Sequence, residues 1–312
     1  MFTLIQLVLV MQAVPVRAET ALSLLFVASQ NSGPYMQFME NTTRQLQAQG
    51  DYEVDYAVRM PDEIAAPDAL AEGGYDIIIS VGTDAALALG RLQPESAVLY
   101  TLIPGLTFDH LKQTRRLVCL PDRCGVIYIN QPLERRMAAV RAAFPDMRTL
   151  GVLLGPTSRQ YEHELIKTAG QYGFIIRRVL VEDPGELQSA LNRVLMQSDA
   201  LFAVPDPVVY NSQTAQSILL TTYRHKVPMI AYSKSYLKAG ATLSVYSTPV
   251  QFARQTAGIV GDFVRGGAKR LNVRQYPAYY TLRVNEYVAK TLGLDFVHTA
   301  ELLKLMEEGG YE

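Results

Sequence analysis

The sequence predicts an α/β fold of two similar lobes, each built on a parallel β-sheet with helices on both faces. At 312 residues the chain is roughly twice the usual domain size, and its 49% of hydrophobic residues can fill two cores. Short apolar runs alternate with amphipathic stretches, and this alternation occurs in two successive series. Length, composition and alternation together indicate two βαβ lobes in tandem.

The first series covers residues 21–92. We expect strands over residues 22–27, 52–58 and 77–81, and helices over residues 35–49 and 85–92. The third strand contains the continuous apolar run Ile77-Ile78-Ile79. A sheet exposed to water on one face would alternate apolar and polar side chains, so this run indicates a parallel sheet covered on both faces.

The second series begins after Asn130 and repeats the architecture of the first. Expected helices cover residues 133–144, 159–172, 185–196, 213–225 and 250–265. Expected strands cover residues 150–154, 175–181, 200–204, 228–232 and 242–246. The repetition predicts a second doubly wound lobe.

The first 18 residues have the features of a secretory signal peptide. Residues 2–14 are apolar apart from three polar positions, and Val16-Arg17-Ala18 places small residues where a signal peptidase cleaves. We expect a signal peptide over residues 1–18, a mature chain that begins at Glu19 without inserting into the membrane, and a periplasmic location. A membrane anchor and a buried helix are the alternatives, although the run is short for a bilayer and no cysteine follows it to accept a lipid.

The two cysteines, Cys119 and Cys124, lie close together in a chain predicted to be exported. An oxidising compartment allows such a pair to close, and no metal-ligand partner lies nearby in the sequence. We predict a disulfide that holds the loop of residues 120–123. Two free thiols or a redox pair are the alternatives.

The charge balance and the motifs indicate a binding protein for a small molecule. Lys and Arg total 29 against 30 Asp and Glu, so no net field attracts nucleic acid or an anionic membrane surface. The sequence has no Gly-x-Ser-x-Gly motif, no Gly-x-Gly-x-x-Gly motif after the first strand and no Walker lysine, and its four histidines are scattered. We therefore expect no catalysis, no cofactor and no metal.

Ligands of open parallel sheets lie beyond the carboxyl ends of the strands, where loops lead into helix N-termini. In this chain those loops carry hydroxyl, amide, carboxylate and phenol groups that suit a polar ligand. Tyrosine rings there are expected either to line a planar ligand or to serve in ordinary packing. The candidate ligand-binding residues are Ser29, Gln30, Tyr35, Gly82, Thr83, Asp84, Thr157, Ser158, Tyr161, Asp206, Tyr232 and Ser233.

Five segments of the chain, in this order, resemble one known family: YDIIISVGTDAALALG, FPDMRTLGVLLGPTS, SDALFAVPDPVVYN, VPMIAYSKSYLKAGATLSVYS and RVNEYVAKTLGL. They are similar to segments of ABC-transporter substrate-binding proteins of the tryptophan- and tyrosine-binding kind. The resemblance covers roughly residues 75–294. It implies a type I periplasmic binding protein, with two Rossmann-like lobes joined by a hinge of three crossing segments.

The resemblance also assigns roles to individual residues. Gly82-Thr83-Asp84 stands at the family's Gly-Thr-Pro turn, whose N–H and hydroxyl groups face the cleft, so Asp84 either meets a ligand ammonium or serves as a helix N-cap. Asp206 resembles the aspartate that meets a ligand amine. Between Pro104 and Asn130 the chain lacks the family's Gly-rich segment, so the identity of its ligand is left open. It also lacks the lipid-accepting cysteine of the lipoprotein members, which implies a protein that diffuses freely in the periplasm.

The implied domain limits are residues 19–127 with 247–275 for the N-terminal lobe, and residues 128–246 with 276–312 for the C-terminal lobe. The implied function is capture of an amino-acid-like molecule between the lobes and delivery to the permease of an ABC importer. Signalling to a membrane receptor is one alternative. A hydrolase or isomerase that uses Asp84 or Asp206 as its base is another, with Lys234 the nearest candidate partner.

Overall fold

The protein was described from a computed structural model. The structure describes residues 21–50, 53–64, 70, 74–266 and 270–309. The predicted signal peptide, residues 1–18, lies outside these ranges. Within them, no helix is both long enough and apolar enough to cross a bilayer.

The first sheet has six strands, and all of its pairings are parallel. In spatial order β11-β5-β4-β3-β1-β2, it is built from β1 (Leu22–Ala28), β2 (Val54–Arg59), β3 (Ile77–Val81), β4 (Ala97–Ile103), β5 (Cys124–Tyr128) and β11 (Arg274–Gln275). The late strand β11 joins strands from the start of the chain, so the chain returns to this lobe after building the other.

The second sheet also has six strands, in the order β12-β10-β9-β8-β6-β7. Its members are β6 (Thr149–Leu154), β7 (Ile175–Leu180), β8 (Ala200–Phe202), β9 (Met229–Ala231), β10 (Leu243–Tyr246) and β12 (Thr281–Val284). Four of its pairings are parallel, and β12 runs antiparallel to β10. The predicted α/β class with two parallel sheets is confirmed, with this one antiparallel edge strand as the exception.

Eleven helices are described around the two sheets. They are α1 (Gly33–Gln47), α2 (Thr83–Leu92), α3 (Gly105–Gln113), α4 (Leu133–Ala143), α5 (Glu162–Gln171), α6 (Leu187–Leu195), α7 (Ala215–Arg224), α8 (Lys234–Ala239), α9 (Pro249–Arg265), α10 (Glu286–Thr291) and α11 (Thr299–Glu308). Two of the predicted helices begin with a 3-10 turn, Ser158–Tyr161 before α5 and Pro184–Glu186 before α6.

Each sheet carries apolar packing on both faces. On the first sheet, Phe38 of α1 and Phe252 of α9 pack on the face that contains Phe26. Phe108 of α3 packs on the opposite face, where its ring lies 5.5 Å from that of Tyr100. The second sheet is covered in the same way by α4 and α5 on one face and by α6 and α7 on the other. This double cover explains why the strands are apolar without alternation.

Three short segments connect the two sheets. Residues 129–132 run from β5 into α4, residues 247–248 run from β10 into α9, and residues 276–280 run from β11 into β12. Helix α9 begins with a capping box, in which Thr248 and Gln251 each bond the other's backbone N–H. The cap fixes the direction in which the chain re-enters the first lobe.

The predicted disulfide between Cys119 and Cys124 is present, with a Cα–Cα distance of 5.2 Å. Cys124 is the first residue of β5, and its backbone N–H donates to the carbonyl of Leu271 at 2.9 Å. The bridge therefore ties the loop before β5 to the edge of the first sheet. In the chain-entropy description, a ring this small contributes roughly 2 kcal/mol to the free energy of unfolding.

Candidate functional site

The loops after β1 and β3 pack against each other at the carboxyl end of the first sheet. Gly82 is buried with φ +94°, and a Cβ at this position would lie 2.6 Å from Ser29 Oγ and 3.1 Å from Tyr35 Cε1. Only glycine allows both that backbone conformation and this close approach. Three of the predicted residues, Ser29, Tyr35 and Gly82, are thus brought together. Burial raises the pKa of the Tyr35 phenol, and the negative charge of Asp84 raises it further.

The N-cap interpretation of Asp84 is wrong. The N-cap of α2 is Gly82, and Asp84 is the second helical residue, exposed and without a capping bond. Ser29 Oγ instead accepts from the backbone N–H of Ala85 at 3.0 Å, so a side chain from β1's loop satisfies the helix end. Asp84 favours the helix through its negative charge in the first turn. Thr83 is half-buried and Gln30 is exposed.

The loops after β6 and β8 are joined by Asp206 at the carboxyl end of the second sheet. Asp206 is 2% exposed, and its Oδ2 accepts from the backbone N–H groups of Thr157 at 3.0 Å and Ser158 at 2.8 Å. Its Oδ1 accepts from Val208 N–H at 2.9 Å. A Cβ on Gly155 would lie 2.3 Å from Oδ1, so the glycine makes room for the carboxylate. The structure gives Asp206 a loop-organising role, and its contact with a ligand amine stays a prediction.

Three tyrosines form an aromatic cluster beyond the ends of β8 and β9. The ring of Tyr232 lies 6.2 Å from that of Tyr210 and 5.5 Å from that of Tyr236. Tyr232 is half-buried, and burial raises the pKa of its phenol. The hydroxyl of Ser233 accepts from the N–H of Tyr236 at 3.3 Å, so Ser233 is the N-cap of α8. Of the two predicted residues, Tyr232 belongs to the aromatic cluster, and Ser233 caps α8, the helix that carries Tyr236.

Arg136 was not among the predicted site residues, although it lies beside this cluster. It comes from α4 and reaches the carboxyl end of β8, where its Nη2 donates to the carbonyl of Ala203 at 2.7 Å. Its guanidinium stacks 4.1 Å from the centre of the Phe202 ring. A sequence signal existed: Arg136 shares the helix face of Ala139, Val140 and Ala143, which places a charge on a stripe that packs inward.

The two lobes touch through Tyr161. Its phenol lies close enough to the backbone of Leu106, in the first turn of α3 on the first lobe, for that N–H group to act on its pKa. Burial raises the pKa of the Tyr161 phenol, and the neighbouring Tyr276 adds to the effect. Tyr276 lies in the third crossing segment, 5.3 Å from the ring of Tyr128. A predicted site residue therefore bridges the space between the lobes next to the hinge.

The three crossing segments are joined by one hydrogen-bond network. Arg135, 6% exposed, donates from Nη1 to Gln131 Oε1 and to the carbonyl of Pro277, both at 2.7 Å. Gln131 Nε2 donates to Ser247 Oγ at 2.8 Å, and Ser247 Oγ donates to the carbonyl of Tyr279 at 2.6 Å. Each of the three connections contributes at least one group. Sequence reasoning predicted the hinge from the resemblance but assigned none of these residues to it.

A separate groove of about 410 Å³ lies at the opposite, amino end of the second sheet. It contains none of the predicted site residues, and its acid Asp199 is occupied by the backbone N–H groups of Arg148 and Thr149, both at 2.8 Å. The groove is lined by Phe144, Asp146, Met147, Ser198, Asp199, Lys226, Val227, Gly293, Leu294 and Asp295. We place the candidate site between the lobes, because the predicted polar loops lie at the carboxyl ends of the strands and Tyr161 lies next to the hinge.

Two doubly wound lobes, three crossing segments and polar loops at facing sheet edges define a type I periplasmic binding fold. The chain belongs to the ABC transporter substrate-binding protein family, whose model matches residues 52–305. The resemblance noted in the sequence is confirmed by this match. No curated protein shows significant similarity to the chain.

Three solved structures share the fold with the chain. A conserved domain protein from Vibrio cholerae is 17% identical, with a TM-score of 0.62 over 91% of this chain and 97% of that one. An ABC domain from Streptococcus pneumoniae in complex with L-Trp is 16% identical, with a TM-score of 0.62 over 92% and 98%. A substrate-binding protein with adhesive properties from Clostridium difficile, ligand-free and open, is 14% identical, with a TM-score of 0.70 over 88% and 95%.

Proposed function

We propose that the chain is a periplasmic solute-binding protein that captures a small amino-acid-like molecule between its lobes and delivers it to an ABC importer. The observation that carries this proposal is the bridge from Tyr161 to Leu106 beside a hinge of three crossing segments. The candidate loops lie at the carboxyl ends of the strands in both sheets, so a molecule held between the lobes would contact both. Membership of the substrate-binding family supports the same conclusion.

Capture in such a site works through an equilibrium between open and closed forms. Contacts that a ligand makes with both walls exist only in the closed form, so the ligand shifts the population toward closure. A permease can then distinguish the loaded protein from the empty one. For this mechanism we retain the predicted lobes, residues 19–127 with 247–275 and residues 128–246 with 276–312, and the predicted signal peptide over residues 1–18.

The lining supports a ligand that has both a planar apolar part and charged groups. Tyr35, Tyr161 and Tyr232 are half-buried at the loops and offer ring faces as well as hydroxyls. Asp84 on one lobe supplies a negative charge at the cleft. An aromatic amino acid matches this combination. The structure of similar fold from Streptococcus pneumoniae was solved in complex with L-Trp.

A thermal-shift screen of the mature chain against amino acids, nucleosides and sugars tests the proposal. At a concentration of about 100 times Kd, a ligand stabilises the native state by about 2.7 kcal/mol, which raises Tm by roughly 4 °C in a protein of this size. We expect aromatic amino acids to give the largest increase. The increase should shrink in Tyr35→Ala, at the cleft, and persist in Asp146→Ala, at the separate groove.

Two results would count against the proposal. If no compound of these classes raises Tm, the chain does not capture such a molecule. If Asp146→Ala abolishes the increase while Tyr35→Ala keeps it, the ligand binds in the groove at the amino end of the second sheet and the cleft is not the site.

A further inference from the structure

Arg136 carries a buried positive charge for which the described part of the chain provides no ion-pair partner. The side chain is 2% exposed, and within the described residues no carboxylate oxygen lies within 4.0 Å of its guanidinium nitrogens. Among the described residues, its Nη2 donates to the carbonyl of Ala203, and its buried Nε–H has no partner. Burying an unpaired charge is costly, so a group of this kind calls for an explanation.

A second buried polar group without a partner lies in the same cluster. Tyr210 is 6% exposed, and its hydroxyl finds no hydrogen-bond partner among the described residues. The two groups flank the same ring, because the guanidinium lies 6.0 Å from the ring of Tyr232 and that ring lies 6.2 Å from the ring of Tyr210. Two donors, one of them charged, therefore lie on either side of Tyr232 at the carboxyl ends of β8 and β9.

The chemistry of these donors favours a carboxylate over a more highly charged anion. A guanidinium and a phenol together offer N–H and O–H groups to planar oxygen acceptors, and one positive charge balances one negative charge. The carboxylate of Asp206 lies close enough to act on both Tyr210 and Tyr232. That negative charge opposes a phosphate dianion but favours a ligand that also carries an ammonium group.

We propose that Arg136 and Tyr210 bind the carboxylate of the captured amino acid. The half-buried ring of Tyr232 lies beside both of these residues. This inference deepens the proposed function and rests on it. It adds the charge that the protein recognises and the residues that recognise it.

The test is isothermal titration of the mature chain with the twenty standard amino acids and with the α-carboxamide of each. The amide keeps the side chain and the ammonium but removes the negative charge. For the amino acid that binds tightest, we expect the amide to bind at least about tenfold more weakly, the loss typical of a charged hydrogen bond. In Arg136→Gln the acid should lose affinity by a similar factor, and acid and amide should then bind alike. Tyr210→Phe should weaken the acid by about tenfold, as expected for one hydrogen bond to a charged acceptor.

Arg141→Gln on the same helix is the matched control. Arg141 donates to the carbonyls of Tyr172, Pro145, Met147 and Gly173, so its loss should lower Tm and leave affinity unchanged. Arg136→Gln removes an unpaired buried charge, so its Tm should stay the same or rise. A structural role for Arg136 would give the reverse, a lower Tm with affinity unchanged.

Each outcome decides the inference. Equal binding of acid and amide to the native protein overturns carboxylate recognition and leaves capture of an amino acid standing. Failure of every amino acid to bind overturns both the inference and the proposed function. If Arg136→Gln does not fold, the comparison of acid with amide on the native protein decides alone.

Discussion

Replacing Asp206 by alanine is expected to lower the free energy of unfolding by about 3 kcal/mol. The substitution removes the acceptor from the backbone N–H groups of Thr157, Ser158 and Val208, and each buried donor left without a partner costs about 1 kcal/mol or more. The side chain is 2% exposed, so water does not replace it freely. Guanidinium denaturation of the mature chain measures the loss.

Asp183→Ala is the matched control for this substitution. Asp183 also accepts a backbone N–H bond, from Gly185 at 2.7 Å, but it is an exposed cap of a 3-10 turn. Its loss should cost about 1 kcal/mol or less. Equal losses for the two variants would contradict the loop-organising role of Asp206. Asp206→Asn keeps the volume and one acceptor, so it should lose less stability while still removing the charge offered to a ligand ammonium.

The second large effect is expected at Arg135, where glutamine should lower the free energy of unfolding by about 2 kcal/mol. The variant loses the charged hydrogen bonds to Gln131 and Pro277, and the guanidinium no longer stacks 4.3 Å from the ring of Tyr280. Relief of the desolvation of a buried charge offsets part of this loss, since burial already lowers the pKa of Arg135. Thermal and guanidinium unfolding give the value.

Arg254→Gln serves as the comparison for Arg135. Arg254 is exposed and stacks 4.1 Å from the ring of Tyr279, also in the third crossing segment. It lacks the buried hydrogen bonds, so its loss should cost about 0.5 kcal/mol. Similar losses for both arginines would show that the network between the crossing segments does not stabilise the hinge.

Much of the fold was predictable because its strands are covered on both faces. The apolar run of β3 and the helix that follows it were both identified from periodicity, and the whole second series through α9 was found to within a few residues. Strands β4 and β5 and helix α3 were not assigned, and of these α3 and β5 fall in the segment that departs from the family pattern. The two-residue strand β11 has no local signal, because it exists only through its pairing with β5.

The candidate site was predictable in position but not in detail. Polar residues at strand ends were identified, and Tyr161 does reach the other lobe. The sequence could not show that three backbone N–H groups already occupy Asp206, because those groups belong to loops 50 residues apart. Arg136 was missed because an arginine in a helix is usually solvated, although its position on the apolar face of α4 was a signal that this one is buried.

Small-angle X-ray scattering tests the central claim, that the two lobes close over one small molecule. The mature chain is measured alone and with a saturating concentration of the amino acid that raises Tm most. We predict a smaller radius of gyration with the ligand, because closure brings the two sheets together. An unchanged radius of gyration in a sample shown by calorimetry to be fully bound would contradict it.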